Sequence, residues 1–386
     1  MVEWIDCKIS DIGTVVGGAT PSTKKIDNYE GGTIAWITPK DLSTFSGRYI
    51  KCGERNLTEN GLKSCSAQML PKNTVLFSSR APIGYVAIAA NEVCTNQGFK
   101  SIIPNENTDP LFLFYLLKYN KEAIENMGSG TTFKEVSGNT MRNIIVKVPT
   151  DIEIQKKIAS ILGSIDDKIE ENERINNNLE QQAQAIYQQM FIDNPSSEWK
   201  EGILRDIAEI TMGQSPSGSS YNEENIGMIF FQGRAEFGFR FPTVRLFTTE
   251  PKRVACANDA LMSVRAPVGD LNVAHTDCCI GRGLAAIHSK TNHQSFLLYT
   301  MFSLKKQLNV FNGEGTIFGS INRNSLNEIP ILIPSDEKID EFERIVAPMD
   351  IAIRNNYNEI CRLEQIRDSL LPRLMSGELD VSNIDL

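Results

Sequence analysis

Val75-Leu-Phe-Ser-Ser-Arg-Ala-Pro-Ile-Gly84 returns 185 residues later as Ala260-Leu-Met-Ser-Val-Arg-Ala-Pro-Val-Gly269, with six of the ten positions identical. A segment that recurs together with its surroundings marks a duplicated unit, and this one decides the fold. Upstream, Trp4, Asp11-Ile12, Gly18 and Pro21-Ser22 are matched by Trp199, Asp206-Ile207, Gly213 and Pro216-Ser217 at an offset of 195. Downstream, the offset of 185 persists through Cys94/Cys279, Gly98/Gly283, Gly130/Gly315, Phe133/Phe318 and Pro149/Pro334. The first copy therefore carries ten extra residues between about 42 and 74. Beyond Pro149 the offset is 184, pairing Asp166 with Asp350, Asn172 with Asn356 and Leu179-Glu-Gln181 with Leu363-Glu-Gln365.

One module thus occurs twice, and four segments follow: globular 1–150, helical 151–198, globular 199–335 and helical 336–386. The globular units read as mixed. Short β-type runs at Thr33–Thr38, Thr74–Ser78, Tyr85–Ala89 and Ile144–Val148 alternate with turn clusters and a helix near Leu111–Asn126. The repeated Arg-Ala-Pro-x-Gly element reads as a turn, with proline at the first corner and glycine later.

The helical segments keep a different period. Ile158, Leu162, Ile165, Ile169, Asn172, Asn176, Leu179, Ala183, Ile186 and Met190 step by four and three, as do Phe342, Val346, Met349, Ile353, Asn356, Ile360, Leu363, Arg367, Leu370 and Leu374. Such a heptad seam predicts a coiled-coil pair. Two ordinary amphipathic core helices would also carry an apolar stripe. The acidic faces, the sustained 3.5 period and the shared polar seam position favour a pair that projects into solvent. Gly163 and Pro348 fall side by side in the alignment, so each helix is expected to kink or restart there.

Both seams are buried at once if the helices pack antiparallel. The expected fold is α+β: two mixed α/β recognition domains joined by two long antiparallel helices, in a tandem repeat with a pseudo-twofold axis. A helix of about 40 residues is about 60 Å long and would send the globular units to opposite ends. Pairing about the seam midpoint sets Asn176 across from Asn356. Two non-identical readers on a rigid spacer suit a bipartite, asymmetric duplex target.

Composition bounds the remaining possibilities. The 386 residues are 41% hydrophobic and 23% charged, ordinary for a globular protein of two or three domains. The longest apolar run, Leu111–Leu117, is too short to span a bilayer. Met1-Val-Glu-Trp-Ile-Asp6 has neither the basic nor the apolar region of a secretory leader, so a cytoplasmic location is expected. The eight cysteines form no CxxC pair and the three histidines are not at ligand spacing to them, which points to free thiols and no metal. The net charge of −9 resolves into +2 for 1–150, −6 for 151–198, +1 for 199–335 and −6 for 336–386. All the acidity sits in the helices, so the whole-chain charge says little about nucleic-acid binding, which depends on the local surface facing phosphate.

The chain resembles the specificity subunit of type I restriction–modification systems over nearly its whole length. Gly17-Gly-Ala-Thr-Pro-Ser22, Trp36-Ile-Thr-Pro-Lys-Asp-Leu42 and Gly61-Leu-Lys-Ser64 through Leu70–Gly84 resemble a first target recognition domain. Leu261–Asp270 and Cys279-Ile-Gly-Arg-Gly283 resemble a second, and Gln155-Lys-Lys-Ile-Ala159 and Leu370–Leu379 resemble the ends of the conserved helical regions. Each motif is weak alone; the ordered set, occurring twice, is specific. The resemblance implies binding to double-stranded DNA, to two modification subunits that methylate adenine with S-adenosylmethionine, and to restriction subunits that use ATP and Mg. It implies no cofactor in this chain, no membrane, and a role in defence against foreign DNA.

Catalysis by the chain itself is the alternative. A DNA methyltransferase holds a flipped base with an Asn/Asp-Pro-Pro-aromatic loop, and Asn194-Pro-Ser-Ser197 lacks the second proline and the ring. There is no GxxxxGK[ST] phosphate loop and no HExxH. A scaffold without a DNA role is the third reading, and salt-dependent binding to mixed DNA separates it from the first.

The repeat also filters candidate readers, since residues identical in both copies cannot explain different half-sites. Arg80 and Arg265 of the shared turn are therefore structural or phosphate contacts, an alternative left open by the sequence. Polar positions that differ between copies are the better base readers: Lys40, Gln97, Lys100 and Lys134 in the first, Gln232, Arg234 and Arg282 in the second. Arg323 is a further basic candidate. Each is also compatible with an ordinary solvated side chain. The helix-pair seam is assigned to Ile165, Ile169, Asn172, Asn176, Leu179, Ile353, Asn356, Ile360 and Leu363.

Overall fold

The computed structural model describes residues 2–129, 134–313 and 319–384. The aligned pairs Gly130/Gly315 and Phe133/Phe318 lie outside the described residues. The chain divides into two compact units, residues 1–171 with 359–386, and residues 172–358. Two long helices, Ile152–Tyr187 and Asp336–Met375, each contribute one part to each unit.

In the first unit, strand Gly13–Gly17 pairs with Lys100–Pro104, which pairs with Val75–Phe77, then Val86–Ala89, then the short edge strand Tyr49–Ile50. A second sheet sets Ile34–Ile37 between Arg55–Leu57 and Cys94–Thr95. Trp4–Lys8 and Ile145–Pro149 close the unit as an antiparallel pair, with Trp4 opposite Pro149. The core forms where helix Pro110–Tyr119, buried from Phe112 to Leu117, meets the inward face of Val75, Phe77, Ile88 and Ile102. Full burial of each such side chain contributes about 1.5–3 kcal/mol. Asp109 starts the helix by accepting from the Phe112 amide at 2.8 Å. The helix expected to reach Asn126 instead breaks at Asn120, whose side chain donates to the Leu116 carbonyl at 2.8 Å, and resumes as Lys121–Asn126.

The second unit repeats the plan. Ala208–Met212, Leu284–Ser289, Ala260–Ser263 and Leu271–Val273 form a four-stranded antiparallel sheet. Its partner sheet runs Tyr221–Asn222, Leu246–Thr248, Met228–Phe231, Cys278–Ile280, Val254–Ala255. Tyr49–Ile50 of the first unit extends the sheet that has four strands here, and it lies in the stretch between about 42 and 74 where the first copy is the longer. The helix Gln294–Ser303 has no local side-chain cap. Glu343, on the second long helix, accepts instead from the Ser295 and Phe296 amides at 3.2 and 3.0 Å.

The long helices run in opposite directions within each unit. In the first, Ile158 and Leu162 share a core with Leu374 and Met375. In the second, Asn356 Nδ2 donates to Asn176 Oδ1 at 2.9 Å, and Ala183, Tyr187 and Phe191 pack with Phe342, Val346 and Ile339. The buried line of the second helix follows the expected seam through Phe342, Val346, Ile353, Ile360 and Leu374. The first helix follows it through Ile158, Leu162, Ile169, Asn172, Asn176 and Ala183. Of the residues assigned to the seam, Ile165, Leu179, Asn356 and Leu363 are only half-buried, whereas Asp166, off the expected line, is 5% exposed. Asp166 goes inward because Tyr115 Oη donates to it at 2.6 Å and Arg367 pairs with it at 3.0 Å.

Neither helix restarts. Both are unbroken through Gly163 and Pro348. Gly163 serves close approach instead: a Cβ there would lie 3.3 Å from Arg48 Nη1 and 3.1 Å from Leu111 Cδ2. Arg48 donates to the Gly163 carbonyl at 3.2 Å and pairs with Glu170 at 3.0 Å and with Asp167. The second unit has its own buried arginine. Arg240 pairs with Asp350, donates to Tyr299 Oη at 2.9 Å and lies 3.4 Å from Glu180. Tyr299 Oη donates to Asp350 at 3.0 Å, as Tyr115 does to Asp166. These arginines tie each globular part to its helices and so fix where its loops point.

Candidate functional site

In the first unit, loops at 18–20, 37–40, 79–80, 96–100 and 134–136 come together through their backbones. The Asn96 amide donates to Ile37 O at 3.1 Å, Ser79 to Gly98 O at 2.7 Å and Val136 to Ser79 O at 2.8 Å. Glycine is required at two of these crossings. A Cβ on Gly18 would sit 2.2 Å from the Thr95 and Asn96 carbonyl oxygens, and one on Gly98 would sit 2.9 Å from Pro39 Cγ.

The candidate side chains there are engaged with one another. Arg80 Nε and Lys100 Nζ share Glu135, at 2.9 and 3.3 Å. Burial pushes the Glu135 carboxyl up, but the hydrogen bonds and charges of Arg80 and Lys100 outweigh it and hold the group below its usual range. Lys40 pairs with Glu54 at 2.6 Å on the open surface, and Thr20 donates to the Gln97 side-chain oxygen. Lys134 is exposed, next to Glu135.

The second unit brings the equivalent loops together with the same backbone bonds. Val264 N donates to Gly283 O at 2.9 Å, Ile321 N to Val264 O at 3.0 Å and Gly281 N to Phe231 O at 2.8 Å. A Cβ on Gly213 would lie 2.1 Å from the Gly281 oxygen, and one on Gly281 would lie 2.8 Å from the Gln232 oxygen. The loops are thus packed backbone to backbone and have little freedom to shift.

Their side chains face a recess of about 250 Å³ lined by Gln232, Arg234, Arg265 and Arg282 together with Ser215 and Ser263. Four of the five residues read as candidates in this copy therefore converge. The fifth, Arg323, does not line the recess; it is exposed and begins the short helix Arg323–Asn327, which Asn322 caps. Arg234 Nη1 pairs with Asp270 at 2.6 Å, and Lys305 pairs with the other Asp270 oxygen. Burial raises the Asp270 carboxyl, yet Lys305 and Arg234 together hold it below its usual range. Among the described residues no carboxylate pairs with Arg265 or Arg282. Ser320 stands where the first unit has Glu135, and Ala285 where it has Lys100.

Sequence reasoning missed Ser215, Asp270 and Lys305. Asp270 carried a signal, since it closes the quoted turn in this copy where the other has Tyr85. The turn itself is built alike in both units. The Ala81–Pro82 and Ala266–Pro267 peptides are cis, so neither proline occupies the expected first corner with a trans peptide, while Gly84 and Gly269 have φ of 95° and 84°.

No group of three or more His, Cys, Asp or Glu side chains is placed to hold a metal among the described residues. All eight cysteines are free thiols, and burial pushes the Cys94 and Cys278 thiols up to about 12, away from reactivity. Among the described residues no helix is long and apolar enough to cross a membrane.

Comparison with known proteins agrees with this duplication. Residues 1–181 and again 196–365 match the family described as Type I restriction modification DNA specificity domain. The type I restriction enzyme MjaIX specificity subunit of Methanocaldococcus jannaschii is 32% identical, the alignment covering 99% of this chain and 95% of that one. The type I restriction enzyme HindI specificity subunit of Haemophilus influenzae is 24% identical over 98% of this chain and 100% of that one. The crystal structure of a type I restriction–modification system S subunit from M. genitalium shares the fold, with a TM-score of 0.64 at 17% identity, covering 97% of this chain and 96% of that one.

Proposed function

We propose, from the premise that this chain belongs to the family of type I restriction–modification specificity subunits, that each unit reads one half of a bipartite, asymmetric duplex DNA target. The observation that carries the proposal is the pair of equivalent loop clusters with different side chains. The scaffold bonds recur, from Ser79–Gly98 to Val264–Gly283, while the groups displayed on it change from Arg80–Glu135–Lys100 to a recess of three arginines and a glutamine. An identical scaffold presents the duplex with one docking geometry, and the changed side chains read a different sequence.

In this reading the chain does no chemistry. Methylation with S-adenosylmethionine and cleavage with ATP and Mg belong to two modification subunits and to restriction subunits that dock on it, in the cytoplasm with the DNA. The long helices space the half-sites and receive the modification subunits.

The test is methylation-aware sequencing of a genome carrying this chain with its modification subunits. An interrupted adenine-methylated motif with unlike halves supports the reading. A single uninterrupted or palindromic motif overturns it. An exchange of residues 1–150 for the matching unit of a relative should alter one half of the motif only.

A further inference from the structure

We infer that Arg234 is a guanine reader for the half-site taken by residues 172–358, held in plane by Asp270 and Lys305. The inference rests on the proposed function and names which base the recess recognises.

Arg234 differs from the other two arginines of the recess in being buttressed. Its Nη1 lies 2.6 Å from Asp270 Oδ2, and Lys305 occupies the other carboxylate oxygen. The Asp270 backbone amide in turn donates to Ser263 Oγ at 2.9 Å. A guanidinium has five donors in a rigid fork, so one bond to Asp270 leaves donors free and fixes the plane in which they point. Half the Arg234 side chain remains exposed, facing the recess with Gln232 and Arg282 beside it.

That arrangement separates base from phosphate. A carboxylate next to a guanidinium weakens its pull on an anion and costs little against a neutral base edge. The O6 and N7 of guanine are two acceptors at the spacing of the guanidinium fork, the commonest specific contact arginine makes in the major groove. Arg265 has no carboxylate partner among the described residues and suits a phosphate, which sets register without reading sequence. Pre-fixing Arg234 also lowers the rotamer entropy lost on binding, a benefit only where orientation matters.

The device is confined to one unit. The positions aligned with Arg234 and Asp270 are Pro39 and Tyr85, so Lys121, which matches Lys305 at the offset of the Tyr115/Tyr299 pair, has no carboxylate there to meet. The guanine preference therefore belongs to one half of the target.

The test is selection from a randomised duplex library by the chain assembled with its modification subunits, for the parent, Arg234→Lys, Arg234→Ala, Asp270→Asn and Arg265→Ala. The parent should select a guanine at one position in one half-site. Arg234→Lys keeps the charge but loses the fork, and should reduce that preference roughly tenfold to a hundredfold with the salt dependence unchanged. Arg234→Ala should do the same, and Asp270→Asn should weaken the preference less. Arg265→Ala should lower affinity for every sequence and flatten the dependence of log K on log salt by about one. If Arg234→Ala instead weakens all sequences alike and flattens the salt dependence, Arg234 is a phosphate contact and the inference falls. A parent half-site without guanine also overturns it while leaving the proposed function standing. A parent that selects no sequence overturns the proposed function, and this inference with it.

Discussion

Asn356 Nδ2 donates to Asn176 Oδ1 at 2.9 Å across the second unit's helix pair, and Asn176 is 3% exposed. An amide pair within an apolar seam costs stability and fixes register. Removing one partner leaves the other buried without its bond. We expect Asn356→Leu to lower stability by about 1–3 kcal/mol. Asn176→Leu with Asn356→Leu should recover that loss and melt above the parent, because both polar groups leave the seam together. Urea and thermal denaturation of the three proteins check the order. A double variant less stable than the single one would show that the pair is held for more than its mutual bond.

Arg240 faces two carboxylates, Asp350 and Glu180, with one positive charge, and its side chain is 4% exposed. Burial raises the Glu180 carboxyl above 4.5; Arg240 pulls it down and Asp350 pushes it up again. A carboxyl raised in the native state contributes stability that is complete below the unfolded value and is lost as pH rises through the native one. Ionised Glu180 is therefore a net cost at neutral pH. Glu180→Gln should melt above the parent at pH 7, and the gap should close as the pH falls to 4. Melting curves across that range decide it. A variant that melts below the parent at pH 7 would show that Arg240 needs both carboxylates.

Gly84 and Gly269 occupy the same turn position with φ of 95° and 84°, but what surrounds them differs. A Cβ at Gly84 meets the flexible Lys121 side chain, whereas one at Gly269 lies 2.9 Å from Cβ of the buried Leu308. Both alanine variants lose about 1–2 kcal/mol to the left-handed backbone. Gly269→Ala should lose about 1–3 kcal/mol more, since the core must yield. Equal losses by urea denaturation would show that Leu308 repacks freely.

The duplication and the two long helices were legible in the sequence, because each rests on spacing or on comparison of the two copies; the same comparison singles out Gln232, Arg234, Arg265 and Arg282 one by one, and only the fold brings them to one recess. What was not legible depends on partners distant in the chain. Arg48 and Arg240 lie in or beside the stretch where the offset slips from 195 to 185: counting from Arg48 by either offset reaches Thr243 or Gly233. Asp166 and Asp350 align, yet nothing local tells that Tyr115 and Tyr299 draw them inward. A polar residue between apolar ones counts as surface in a periodicity argument, so the first helix seam was placed on Ile165 instead of Asp166. Gly163 read as a break because its neighbour Arg48 is far away in sequence.

The sequence leaves Arg80 between a structural and a phosphate-contact role and offers Lys100 as a base reader, and it gives Glu135 no reason to be set against them. In the structure it takes both Arg80 and Lys100, so two positive charges are offset by one carboxylate. Held below its usual range, Glu135 contributes stability above its unfolded value of 4.5 that is lost as pH falls through the native one. Glu135→Gln should therefore melt slightly below the parent at neutral pH, with the difference vanishing in acid. On DNA the substitution should act the other way. It frees one net positive charge on this loop cluster, and each phosphate neutralised steepens the fall of log K with log salt by about 0.9. For the chain assembled with its modification subunits, we expect tighter binding to every duplex at low salt, a salt dependence steeper by about one, and a narrower gap between target and non-target DNA. Titrations at several salt concentrations measure all three. An unchanged salt dependence would mean that Arg80 and Lys100 do not face phosphate, and would assign the shared turn arginine of the first unit to holding the loops together.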